Sequence, residues 1–324
     1  MATHRREISV ALAILALTIV LAFVAPGYFS RENLIDLFLA NVPVLIVALG
    51  MTIVILIGQI DISVGSIFAI CAVSAGLLAK SGAPAPLAGL GACFVGAALG
   101  ALNGALVAYV RIPSIVMTLA SMVALRDALR WQTQGAWVQD LPAGFQWLGF
   151  SQAAFPYVSL MIAVALSWGM AWGLRNLAAG RAVYATGSNE EGARLAGIHT
   201  RFVTLSVFVF TGALTGFAAT LNAVRFNQIP ANGGLGLEMK VIAAVVVGGA
   251  AITGGRGTIV GTVLGVILLG AIGPALTFLG ISAYWERAVQ GGIILAAVVI
   301  DAVRSRTSRS RREEHGSNLA ASRA

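Results

Sequence analysis

"ILIGQIDISVGSIFAI", residues 55–70, sets a single carboxylate, Asp61, between two apolar runs. The chain around it has 324 residues, 58% hydrophobic and only 10% charged. That is more apolar surface than a soluble chain of this length needs for its core, so the chain reads as a membrane protein. Runs of about 18 to 22 apolar residues recur, each long enough to cross a hydrocarbon layer of roughly 30 Å as a helix. Lipid offers no hydrogen bonds to a backbone, so the crossings are expected to be α-helical. Ten spans follow, at 8–26, 34–58, 63–80, 86–109, 113–131, 154–174, 201–223, 238–252, 257–279 and 284–303.

The eighth span is the weak one, because its uncharged run, Val241 to Ile252, is too short for a straight crossing. Charge distribution argues for keeping it. With ten crossings and a cytoplasmic amino end, the cytoplasm receives Arg5, Arg6, Arg111, Arg175, Arg181, Arg194, Arg201, Arg256 and the six arginines beyond residue 303. A re-entrant eighth span would put those six arginines outside, against the bias for positive charge in the cytoplasm. Both termini are therefore expected in the cytoplasm. Residues 1–303 form one transmembrane domain, and 304–324, "RSRTSRSRREEHGSNLAASRA", a basic disordered tail that faces anionic lipid rather than nucleic acid. Arg5 and Arg6 before an apolar run resemble a signal peptide, but Pro26 follows Ala25 where cleavage would fall, so the first helix is expected to be retained.

Catalytic patterns are missing. His4, His199 and His315 all lie outside the spans, and Cys71 and Cys93 have no metal-site spacing, so no catalytic residue, metal or cofactor is expected. There is no phosphate-binding GxxxxGK[ST] either. If ATP powers transport, another polypeptide supplies it. What the spans do carry is small residues four apart: Gly96, Gly100 and Gly104, then Gly212 and Gly216, then Gly257, Gly261 and Gly265. This spacing predicts close helix packing. Asn103, deep in the fourth span, needs a partner on another helix or a passing solute.

Asp61 has two readings. With Ser63 it caps the amides that open the third span; with Gln59 it lines a solute path. Arg126, Asp127 and Arg130 pose a similar choice near the outer end of the fifth span, between a snorkelling ion pair and a polar vestibule. The aromatics that follow, Trp131, Trp137, Phe145, Trp147 and Phe150, read as an interfacial belt, with a docking surface as the alternative.

The longest cytoplasmic segment starts at Gly180 and closes on "ATGSNEEGARLAGIHTR", residues 185–201. Ser188 followed by Glu191 fits a capping box, Asn189 and Glu190 stand in the first turn, Glu190 precedes Arg194 by four, and Gly197 closes the end. A helix of about seven residues results, well below the 12–15 at which isolated helices become marginal. It must lean on something, and its outer face would offer Leu195 and Ile198.

"IDISVGS" at 60–66, "GSNEEGARLAGI" at 187–198 and "GLEMKVIAAVVVGGAAITGGRGTIVGTVLG" at 236–265 resemble the permease subunits of ribose-type bacterial sugar ABC importers, over residues 8–303. "IPSIVMTLASM" from 112, "GAWVQDLPAGF" from 135 and "FNQIPANGGLGLEMK" from 226 are most similar to autoinducer and rhamnose importer permeases. Asp127 stands where many relatives carry glycine. The resemblance implies an all-α polytopic membrane protein of about ten transmembrane helices, of the type II ABC importer permease kind, in the bacterial inner membrane. It implies a homo- or heterodimer with a second permease, a cytoplasmic ABC ATPase subunit and a periplasmic sugar-binding protein. By position, Ser188, Asn189, Glu190, Glu191, Ala193, Arg194, Leu195, Gly197 and Ile198 match the coupling helix that the ATPase grips. Candidate solute-path residues are Gln59, Asp61, Asn103 and Arg126. The rival readings are an ion-coupled secondary transporter, a branched-chain amino-acid ABC permease and a membrane enzyme.

Overall fold

The computed structural model describes residues 2–282, 284–292 and 295. Its helices are α1 (Ala2–Val24), α2 (Arg31–Leu56), α3 (Val64–Lys80), α4 (Ala85–Ala105), α5 (Ser114–Thr133), α6 (Phe155–Asn176), α7 (Ala178–Ser188), α8 (Glu190–Leu195), α9 (Thr200–Ala223), α10 (Leu237–Val247) and α11 (Ile259–Phe278). Residues 285–292 are also helical. The one β-type pairing among the described residues is the isolated antiparallel bridge Val138–Ile229.

Among the described residues, six helices are long and apolar enough to cross a membrane: α1, α2, α4 with its continuation to Val110, α6, α9 and α11. The 20-residue α5 carries Arg126, Asp127 and Arg130, α3 has 17 residues, and α10 only 11. The expected spans one to seven and nine match observed helices to within a few residues, apart from span one, whose helix starts at Ala2. Half of span ten and the whole tail 304–324 lie outside the described residues. The hub is α2, whose second half is buried almost continuously from Val42 to Leu56 and touches α6, α7, α9, α10 and α11. By contrast α1 and α6 turn most of their apolar residues outward, among them Phe23, Met161 and Trp168, as lipid-facing helices do.

Glycine decides where helices approach most closely. A methyl group at Gly96 would land on the Gly212 carbonyl, one at Gly100 on the Phe208 carbonyl and one at Gly216 on the Ala92 carbonyl, so α4 and α9 meet backbone to backbone. Between α10 and α11 the same role falls to Gly248 against Gly261, and to Gly265 against the Ala244 carbonyl.

Two segments enter the bundle without helix. In residues 57–63, the Ile60 N–H donates to Ser114 Oγ (3.2 Å) and the Ile62 N–H to Thr118 Oγ1 (3.0 Å), so hydroxyls of α5 replace the helical carbonyls that this stretch lacks. The second is residues 229–236. Ile229 lies against Gly76 near the Lys80 end of α3, while Gly234 lies against Gly65 in its first turn. Those two glycines are about 16 Å apart along the helix. The chain then turns through Gly234 (φ 76°) and Gly236 (φ 84°) into α10, and in the connection that follows it the Gly255 N–H donates to the Leu56 carbonyl (2.8 Å). The eighth segment thus starts beside the far end of α3 and finishes beside the near end of α2. The eleven residues of α10 are thus preceded by a non-helical lead of turns that runs along α3.

Candidate functional site

The α7–α8 corner is built from small residues and caps. α7 runs through Ser188, so Ser188 is not the cap that its pairing with Glu191 suggests. The cap is Asn189, extended at φ −162° and ψ 100°, whose Oδ1 accepts the Gly192 N–H (2.9 Å). Nor does Glu190 pair with Arg194. Arg194 donates to Glu191 (2.6 Å), which holds its guanidinium above the ordinary arginine pKa, while Glu190 accepts from Thr200 Oγ1 (3.3 Å). Gly197 (φ 85°) closes the helix as expected, its N–H donating to the Arg194 carbonyl and the Ile198 N–H to the Ala193 carbonyl, both at 3.0 Å.

Of this six-residue helix only Ala193 is buried; Asn189, Glu190, Glu191, Arg194 and Gly197 face outward, Ile198 is half-buried, and Leu195 is 80% exposed. It is mounted through the end of α7. Gly187 packs on the Leu56 carbonyl and on Gly255, Ser188 lies against Gly255, and Tyr184 Oη donates to the Gly257 carbonyl (2.8 Å). Through the last turn of α7, α8 is therefore held beside the end of α2 and the α10–α11 connection. Beside α8 lies a cavity of about 910 Å³ whose walls include Gln59, Arg111, Glu190, Arg194 and Arg201.

The expected path residues fall in three places. Gln59 stands in that cavity wall. Asp61 and Asn103, each 1% exposed, belong to one hydrogen-bonded chain: Ser63 donates to Asp61 Oδ1 from its N–H (2.9 Å) and its hydroxyl (2.5 Å), Asn103 Nδ2 donates to Ser63 Oγ (2.8 Å), and Ser121 Oγ donates to Asn103 Oδ1 (2.6 Å). This chain ties the start of α3 to α4 and α5. Asn103→Leu, which removes two of its bonds, should cost about 1–2 kcal/mol, read as a lowered unfolding midpoint of the detergent-purified protein. The fourth residue, Arg126, pairs with Glu238 of α10 at 3.7 Å. Sequence reasoning missed Glu238, which is 6% exposed. The signal was there, since Glu238 and Lys240 are what shorten the apolar run of the eighth span.

Towards the Thr133 end of α5, Asp127 and Arg130 form an exposed pair at 3.5 Å. Among the aromatics, Phe145 is buried and Trp147 packs edge-on against Phe155 at 5.3 Å, whereas Trp131, Trp137 and Phe150 are exposed.

The family described as "Branched-chain amino acid transport system / permease component" matches residues 33–298. The autoinducer 2 import system permease protein LsrC of Yersinia pseudotuberculosis serotype O:1b (strain IP 31758) is 37% identical over 302 residues, covering 92% of this chain and 85% of its own. The protein of that name from Salmonella typhi is 36% identical over 304 residues, covering 92% and 86%. No solved structure matches the chain. A family match across most of the chain and relatives aligned over nearly its whole length place it among these transport proteins: the chain belongs to the family of permease components of such import systems.

Proposed function

We propose that this permease moves a monosaccharide or sugar-like signal, of the kind carried by the autoinducer 2 import systems it resembles, by ATP-driven alternating access. The observation that carries the reading is α8: a capped, outward-facing helix with an exposed leucine, joined to α7, whose end packs on the end of α2 and on the α10–α11 connection. A separate cytoplasmic ABC ATPase gripping α8 would drive those elements directly, and the chain itself needs no cofactor. Clustering of Arg111, Arg194 and Arg201 around one cavity supports a cytoplasmic position for this face in the bacterial inner membrane. The full reading has ten crossings, both termini cytoplasmic, a second permease beside the first and a periplasmic binding protein on the opposite face.

The test is reconstitution. Vesicles holding the permease alone should not accumulate autoinducer 2, D-ribose or L-rhamnose against a gradient, and those holding the complete ATPase and binding-protein assembly should do so when supplied with ATP. Accumulation by the permease alone, collapsed by a protonophore, would establish an ion-coupled carrier instead. Accumulation of L-leucine in place of the sugars would select the branched-chain amino-acid reading that the family description includes.

A further inference from the structure

Because α2 ends at Leu56 beside the α7–α8 corner, its first residue, Arg31, lies at the opposite end of the bundle. There a groove of about 970 Å³ opens between the first two turns of α2 and the start of α6. Arg31 and Glu32 stand at its mouth. Asp36 follows about 7.5 Å along the helix axis and Phe38 about 10 Å, with Leu160 of α6 lining the same space. Glu32 and Asp36 are four residues apart on one helix face, an arrangement of like charges that destabilises a helix. The positive end of the helix dipole offsets Glu32 in the first turn but fades before Asp36. Among the described residues, Arg31, Glu32 and Asp36 make no ion pair and no side-chain hydrogen bond. Arg225, whose charge interacts with Asp36, is not within ion-pair distance of it. The groove therefore offers one cation and two carboxylates above an apolar floor.

The flank that holds it suits hydrocarbon. From Phe155 to Trp172, α6 carries no charged residue, and Tyr157, Met161, Val164 and Trp168 are exposed along it. The exposed face of α5, by contrast, carries Asp127 and Arg130. We propose that the groove holds one phospholipid with a phosphoethanolamine headgroup, from the leaflet on the side away from α8. Arg31 pairs with the phosphate, whose oxygens match a planar guanidinium. The primary ammonium sits between Glu32 and Asp36 and brings three N–H donors to them. One acyl chain runs past Phe38 and Leu160 and keeps water off them. A trimethylammonium headgroup has no donor for the carboxylates, and a glycerol headgroup has no positive charge for them. The site thus selects ethanolamine, whichever solute the permease carries.

Native mass spectrometry of the detergent-purified full-length permease reads this choice directly. The protein is incubated with equal amounts of phosphatidylethanolamine, phosphatidylglycerol and phosphatidylcholine of matched chain length. Wild type should retain phosphatidylethanolamine roughly tenfold over either competitor, the effect of about one charge-assisted hydrogen bond. Glu32→Gln with Asp36→Asn should abolish the preference, and Glu32→Lys with Asp36→Lys should reverse it towards phosphatidylglycerol. Both positions are exposed, and an unchanged unfolding midpoint confirms that the variants fold. Equal retention of the three lipids by wild type, or a preference for ethanolamine that survives the lysine pair, would overturn the site. So would a permease dimer that retains no lipid, because a second copy of the chain would then cover the groove.

Discussion

Gly212→Leu should leave membranes nearly empty of permease, a loss of at least tenfold in immunoblotted abundance. The position faces backbone, not a side chain able to swing away: a methyl at Gly212 already meets the Gly96 carbonyl, with Gly100 Cα behind it. Overpacking a core commonly costs about 1–3 kcal/mol when neighbours can shift, and here the neighbours are two helices held together along their length. Moving α9 away from α4 would also break the Gly100–Phe208 and Gly216–Ala92 approaches, since they lie on the same seam. Lipid supplies no hydrophobic force to re-close it, because tails are as apolar as leucine. Gly169→Ala in α6 is the matched control: nothing lies within 4 Å of an added methyl, and abundance should not change. A graded intermediate is Gly89→Ala, whose methyl would sit 3.3 Å from Thr220 Cγ2, near enough to be felt and soft enough to be accommodated. Normal abundance of Gly212→Leu would mean that α4 and α9 do not meet as described.

This seam also shows how far the sequence is readable. Glycines four apart announce that α4 and α9 each present a smooth stripe, because that spacing is a property of one helix. The length of each apolar run is likewise local, which is why most spans end within a few residues of the observed helices. Partnership is not local. Asn103 declares its need for a partner, but Ser63 and Ser121 stand 40 and 18 residues away. Arg126 and Glu238 meet only because residues 229–236 drop without helix along α3 and bring α10 to its first turn. Nothing in residues 229–236 except repeated glycine hints at that path. At the α7–α8 corner the difficulty is of another sort, since Ser188 and Asn189 are both good caps and the capping-box pattern favours the former. Packing chooses: α7 keeps its last turn because Gly187 and Ser188 seat on Leu56 and Gly255, which leaves Asn189 as the first residue free to take extended angles.

Leu195→Asp should abolish ATP-dependent uptake while leaving the permease folded and abundant. Leu195 is 80% exposed on a six-residue helix whose only buried side chain is Ala193, so nothing within the protein depends on it. On the proposed cytoplasmic reading, an apolar side chain left exposed on a polar, capped corner gains when another protein covers it. Burying a leucine is worth about 1.5–3 kcal/mol, and an aspartate in the same covered position adds a desolvated charge. The lost burial alone corresponds to roughly a tenfold to hundredfold weaker grip on the ATPase. The intact mounting of Gly187 on Leu56 and of Tyr184 on Gly257 would then have no load to transmit. Purified permease variants titrated with the isolated ATPase subunit measure this directly, with the unfolding midpoint as the check on integrity. Leu195→Ala should fall between wild type and the aspartate, because it removes burial without adding charge. An aspartate variant that binds the ATPase as wild type does would move the docking surface off α8, and with it the route by which hydrolysis reaches α2.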